Sequence, residues 1–316
     1  MNIDKNAYYD LKEIVGFMTS DNPDYMASTY SGASVNYMPT KKFQISVDSA
    51  KVVNNGTVRK PYAARIPKYI QWDFKGSSIY KNSLMQLDMV ATNNWDRPIY
   101  WAITSGDDTY LGLENWFQQE GMTYRLVPVM KQADEKDGNE AGRVDPVIMY
   151  NNMMTKFKWG SLDNPNIYVD GVTRRHLNNY RNVFATLGKR LIALGEKKKV
   201  VALIDKCLEV LPENHIPHEL NSIQLSQLYY LADAKDKGLK LNQKLSALFI
   251  EELEYFSTLN SGFRKDAQED IQRDIYGLQI IENMARGNAQ TKYADEMAAA
   301  IKKYQTMFAN LQQQQQ

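Results

Sequence analysis

The stretch Lys81–Val129, KNSLMQLDMVATNNWDRPIYWAITSGDDTYLGLENWFQQEGMTYRLVPV, decides how the chain is read. Leu84, Leu87 and Val90, flanked by Met85 and Met89, recur at three- and four-residue spacing, which predicts a helix with one apolar stripe. Two asparagines and a polar corner end it. Pro98 then opens the next element, because it restricts the residue before it and donates no hydrogen bond. Ile99 to Thr104 mixes β-branched and aromatic residues and reads as a buried strand closed by Ser105-Gly106-Asp107-Asp108. A short helix and a second strand complete the alternation expected of an α/β unit.

Outward toward the N-terminus, Ala7 to Thr19 carries Tyr8, Leu11, Ile14, Val15 and Met18 at helical spacing. Phe43, Ile45 and Val47 alternate with polar residues across Lys42 to Asp48, the pattern of a half-exposed strand. Asn54-Asn55-Gly56-Thr57 is a turn signal, so Ser49 to Val58 is expected as a hairpin-like excursion. Tyr69 to Phe74 reads as a further strand.

Outward toward the C-terminus, Lys131 to Arg143 is rich in charge and glycine and reads as a flexible surface loop. Pro146 to Phe157 reads as a short helix and Gly160 to Gly171 as a hinge. From about Thr173 the helical periodicity is nearly continuous. Arg181 to Glu213 carries Phe184, Leu187-Gly188, Leu191, Val200, Ile204, Cys207 and Pro212 at the intervals of a tetratricopeptide unit, in which large residues of one helix meet small positions of the next. Ile223 to Phe256 reads as a degenerate second unit, with Leu225, Leu228, Tyr229 and Leu231 on its first helix. Phe263 to Met284 and Tyr293 to Phe308 add two helices. The expected architecture is an α+β or α/β N-terminal domain over residues 1–172, an all-α tetratricopeptide-like helical repeat domain over 173–311, and a disordered glutamine tail over 312–316.

Composition narrows the function. The 316 residues are 43% hydrophobic and 24% charged, with a net charge of +1, which leaves no electrostatic footprint for nucleic acid. One cysteine excludes an internal disulfide. No apolar run reaches the roughly 18 residues that crossing a bilayer takes, and no basic-then-apolar leader opens the chain. Twenty tyrosines suit either half-buried packing or a binding face.

Candidate chemistry is sparse. His215 and His218 have a metal-compatible spacing near Glu213, but they sit in a proline-bounded loop with no third ligand, and a solvated loop is the plainer reading. Cys207 reads as packing rather than as a reactive thiol. Asp107, Asp108 and Glu114 form a carboxylate cluster at a strand end, where α/β proteins place ligands; acids at a helix start are the plainer account. Trp95, Tyr100, Trp101, Tyr110 and Trp116 are an aromatic concentration suited to stacking on a sugar or peptide, or to core packing. The candidate contact set for a ligand or partner is therefore Trp95, Arg97, Tyr100, Asp107, Asp108, Tyr110, Glu114 and Trp116. No catalytic residue, metal site or cofactor is expected.

The run Ala91 to Thr104 (ATNNWDRPIYWAIT), with Tyr110-Leu111-Gly112-Leu113-Glu114 and Glu120 to Val129, resembles the C-terminal region of a membrane-protein family of Bacteroidota catalogued as domain of unknown function 2723. That family is similar to protein O-mannosyltransferases. Tyr37 to Phe43, Asn54 to Val58 and Asn179 to Asn182 also fit it. The resemblance implies a polytopic enzyme with a polyprenyl-phosphate sugar donor and a soluble half on the periplasmic side. The membrane helices and acidic loop expected to carry catalysis are absent from these residues, so no catalytic residue carries over, and the chain is expected to be the excised soluble portion. Its expected role is a non-catalytic extracytoplasmic module that positions acceptor polypeptide or a partner protein for the membrane half of its own parent. The alternatives are a stand-alone enzyme built on the carboxylates near Asp107 and a structural, oligomer-forming module.

Overall fold

The computed structural model describes residues 3–133, 135, 141–162, 164 and 166–313. It divides into two compact units, Met1–Met149 and Tyr150–Gln316. Sequence periodicity places this boundary later, at 172/173. Residues 150–172 instead belong with the helices, where the Trp159 ring packs on Phe184 at 5.7 Å.

The N-terminal unit begins with β1 (Tyr9–Asp10) and α1 (Leu11–Met18). Helix α1 starts at Leu11, not at Ala7. The Asp10 carboxylate accepts from the Lys12 and Glu13 amides and caps it, while Tyr9 and Asp10 pair with a strand. A hairpin of β2 (Met26–Ser28) and β3 (Ser34–Asn36) follows, then β4 (Lys42–Ser46). The expected hairpin at Ser49 to Val58 is instead helix α2 (Ser49–Asn54). Asp48 caps its start, accepting from Lys51 N at 3.0 Å, and Asn55-Gly56, with Gly56 at φ +76°, ends it. The same dipeptide that turns a hairpin also stops a helix. Strand β5 (Tyr69–Asp73) completes a sheet of order β1-β4-β5, with β4 and β5 antiparallel and Phe43 opposite Trp72.

Helix α3 (Lys81–Thr92) is where the apolar stripe puts it, with Leu87 and Val90 buried and Met85 and Met89 exposed. The strand after it is shorter than expected: β6 is Tyr100–Ala102, and Ser105 N turns back to Ala102 O. Beyond two short 3₁₀ turns come β7 (Phe117–Gln119), β8 (Thr123–Leu126) and β9 (Arg143–Val144). The second sheet has the order β6-β8-β7-β9, antiparallel except for β7 with β9. The unit is thus α+β and not a βαβ alternation. Only Glu120-Gly121-Met122 joins β7 to β8, too short a link for a parallel crossover. The core gathers Leu11, Ile14, Phe43, Ile70, Trp72, Leu87, Trp95, Leu113 and Phe117.

The boundary between units falls in α4 (Pro146–Asn151), which continues as a π-helical turn over Asn152–Lys156. The second unit is helical: α5 (Gly171–Ala193), α6 (Lys197–Val210), α7 (Ile223–Leu231), α8 (Lys235–Thr258), α9 (Ser261–Asp266), α10 (Gln268–Gly287) and α11 (Thr291–Gln313). Asp170 caps α5 through the Val172 and Thr173 amides. Consecutive long helices pack in pairs, α5 on α6, α7 on α8 and α10 on α11. A Cβ at Gly188 would stand 2.6 Å from Leu228, so glycine permits the approach of α5 to α7. Leu231, assigned to the apolar side of α7, is 49% exposed at the helix end. Helix α11 runs to Gln313, into the stretch read as a tail; Gln314–Gln316 lie outside the described residues. Among the described residues no helix is long and apolar enough to cross a membrane.

Candidate functional site

Asp107, Asp108 and Glu114 do line one groove of about 400 Å³, together with Lys75, Tyr80 and Gln86. Two left-handed residues, Leu111 at φ +57° and Gly112 at φ +86°, fold the loop back over the end of β5. Gly112 lies so close to that strand that a Cβ would stand 2.3 Å from Asp73 O. This contact is what sets the 3₁₀ turn of Asp107–Tyr110 beside Lys75. Both aspartates are exposed, whereas Glu114 is paired with Lys75 at 3.0 Å. Among the described residues no three His, Cys, Asp or Glu side chains gather as a metal would need. The groove offers exposed carboxylates and a tyrosine edge, which suits recognition of a cationic or hydroxyl-bearing surface.

The aromatic residues are elsewhere. Trp95 and Trp116 are buried, and each indole N–H is spent on a strand carbonyl, Ser46 O at 2.9 Å and Gln71 O at 3.1 Å. They fasten the first sheet. Trp101 likewise donates to Thr109 O at 3.0 Å. Buried Tyr110 packs edge-on against Phe117 and donates to Ser105 O at 3.1 Å. Burial, with the charges of Asp107 and Glu114, raises its pKa and keeps it a neutral donor. Arg97 is exposed and Tyr100 half-exposed, its hydroxyl 3.3 Å from Glu120. The eight candidates therefore divide: three carboxylates share a groove, three aromatics support the fold, and Arg97 and Tyr100 line neither.

A polar cluster that residue-by-residue reading misses lies deeper. The run Lys131 to Arg143, expected as a flexible surface loop, is solvated in neither of its key charges: Glu135 is buried and Arg143 is fully so. Asp134 and residues 136–140 lie outside the described residues. Arg59 grips buried Asp145 at 2.8 and 3.0 Å, and Arg65 grips Glu135 at 3.1 and 3.3 Å. Arg143 donates to Gln118 and stands 3.9 Å from the Tyr62 ring centre, with Arg59 and Arg65 about the same ring at 5.6 and 5.5 Å. Gln118 passes on to Glu120, which faces Arg125 at 3.6 Å. Burial works against the charge on Glu135, but hydrogen bonds from Arg65 and the Gln132 amide, with the charge of Arg143, outweigh it and hold the carboxyl below its usual range. Among the described residues, four arginines against three carboxylates make a clasp joining segments far apart in sequence. The partners are 70 and 86 residues apart, so no local spacing signals them.

In the helical unit the histidine loop is also buried, contrary to the solvated loop expected. His215 contacts Asn164 O at 2.9 Å and His218 contacts Ser222 Oγ at 3.0 Å. His218 lies beside Arg181, which donates to the carbonyls of Leu211, Ile216 and Pro217 and to Asn178. Burial, with the charge of Arg181, pushes His218 down to about 4. Cys207 is completely buried, and burial pushes its thiol up to about 12, so it is inert packing.

Residues 1–147 match the family described as TMEM260-associated domain 2, and the match ends close to the first unit's boundary at Met149. No curated protein matches the chain, and no solved structure does.

Proposed function

We propose that this chain is a non-catalytic module of a membrane-embedded protein O-glycosyltransferase of mannosyltransferase type, facing the periplasmic side, where it positions acceptor polypeptide or a partner for the membrane half of its parent. The observation that carries this reading is the match of residues 1–147 to a TMEM260-associated family, TMEM260 being a protein O-mannosyltransferase. The likeness of Ala91 to Thr104 to domain of unknown function 2723 points the same way. Two features of the molecule support a holding role over a chemical one. The carboxylates nearest a groove are exposed or already paired with Lys75, and the buried arginines, carboxylates and histidines hold each other and the backbone. The paired helices from α5 to α11 supply the stacking from which tetratricopeptide-like arrays build a surface for extended polypeptide.

The experiment is a titration of the chain into fluorescently labelled, unstructured polypeptides rich in serine and threonine, read by anisotropy. Saturable binding that Asp107→Asn with Asp108→Asn or a helical-face substitution weakens is expected. Absence of binding across a broad panel of polypeptides and glycans overturns the proposal.

A further inference from the structure

The helical unit fills its own grooves in series. Helix α7 lies against both α5 and α6, and α10 lies against both α7 and α8. Each fit depends on a glycine: Gly188 of α5 leaves room for Leu228 of α7, and Gly277 of α10 leaves room for Phe249 of α8, whose ring would stand 2.7 Å from an added Cβ. The next groove in the series, formed by α10 and α11 with the start of α9, holds no helix of the described residues. It is a cleft of about 1000 Å³ lined by buried Ile271 and Phe308 and half-buried Ile275, together with four glutamines. Tyr276 stands in its wall 56% exposed, in contrast to the buried Tyr229 of α7.

Two features define what fits. The groove runs along α10 from Gln268 to Gln279, a length of ~17 Å at 1.5 Å per residue, which a helix of about three turns spans. Its lining contains two charged side chains, Arg264 and Lys265, both cationic. Lys265 is exposed, while half-buried Arg264 adds positive charge beside it and already donates through Nη2 to Leu259 O. An occupant must therefore be apolar on one face and carry acid toward the α9 end.

We propose that an amphipathic helix of a partner polypeptide, apolar on one face and acidic on its flank, docks between α10 and α11 in the place that a further helix of the array would take. This does not rest on the transferase reading. The partner helix continues the packing series, its apolar residues on Ile271, Ile275 and Phe308 and its carboxylates at Arg264 and Lys265.

The test is a displayed library of helical peptides of about 18 residues, with Leu or Ile fixed at i, i+3, i+4 and i+7 and the flanking positions randomised, selected on the whole chain. Enriched peptides are then measured by anisotropy against the wild type, Lys265→Glu, Ile275→Glu and Tyr276→Ala, each checked for helical content by circular dichroism. Enrichment of Glu- and Asp-flanked sequences is expected, with binding about tenfold weaker for Lys265→Glu and lost for Ile275→Glu. Tyr276→Ala, at an exposed position, keeps the test valid should Ile275→Glu disturb the fold, and it is expected to weaken binding severalfold. No enrichment, enrichment of basic flanks, or binding indifferent to these substitutions overturns the proposal. So does a concentration-dependent doubling of mass that Ile275→Glu abolishes, because the groove would then belong to a second copy of the chain.

Discussion

Arg143 in the N-terminal unit and Arg181 in the helical unit are both fully buried, yet the first sits among carboxylates and an aromatic ring while the second sits among backbone carbonyls. The difference follows from architecture. Short strands and turns bring segments 59–65 and 118–125 together with Glu135 and residues 143–145, and charge pairs join them. In the helical unit the loop after α6 has carbonyls that no helix satisfies, and one guanidinium from α5 collects three of them. A clasp of charges is worth little net of desolvation, but opening it by removing one member strands the rest. A guanidinium that closes a loop leaves neutral groups unsatisfied when removed, at lower cost.

The sharpest way to break this contrast is Arg143→Ala. Stripping the clasp of its central cation is expected to cost about 3–5 kcal/mol. Denaturation followed by tryptophan fluorescence reads it, since Trp72, Trp95, Trp101 and Trp116 all lie in the N-terminal unit and Trp159→Phe silences the other. A loss under about 1 kcal/mol would show that the clasp is not structural. Arg181→Ala comes next, at about 2–4 kcal/mol, with the loss appearing in the helical signal at 222 nm. Equal loss in both signals would erase the distinction between the two arginines.

Acid sharpens the comparison further. The unfolded His218 imidazole takes up a proton near 6.5 and the folded one only near 4, so between these values the unfolded state binds more protons. Stability is therefore complete above about pH 6.5 and falls as pH drops toward 4, by at most ~3 kcal/mol. His218→Gln is expected to flatten this slope in the helical transition; an unchanged slope would assign the acid sensitivity elsewhere. Gly188→Ala is smaller, about 1–2 kcal/mol, because Leu228 is a side chain and can give way. Asp107→Asn with Asp108→Asn closes the series, within about 0.5 kcal/mol by thermal melt, as exposed positions allow.

What could be read in advance differs between the units for the same reason. Helix α3, strands β4 and β5 and the long helices announce themselves through spacing within one element, whereas Gly188, read within the Arg181–Glu213 pair, gives its room to Leu228 of α7. Strand β7 does not: Phe117-Gln118-Gln119 has no apolar alternation, because its buried Gln118 belongs to the charge clasp and its buried Gln119 donates to Gly121 O. Asn55-Gly56 misleads because a left-handed residue serves a helix end as well as a hairpin. Of the candidate site, the grouping of Asp107, Asp108 and Glu114 was visible in their proximity along the chain. The duty of Trp95 and Trp116 toward Ser46 and Gln71, 49 and 45 residues away, was not.

The measurement that tests the central claim most directly is an assay of the isolated chain with a polyprenyl-phosphate mannose donor and a serine- and threonine-rich polypeptide, scored at once for polypeptide binding and for sugar transfer or donor hydrolysis. The account predicts saturable binding with no turnover. Turnover by the chain alone, lost on Asp107→Asn with Asp108→Asn, would contradict it and make the groove beside Lys75 an active site.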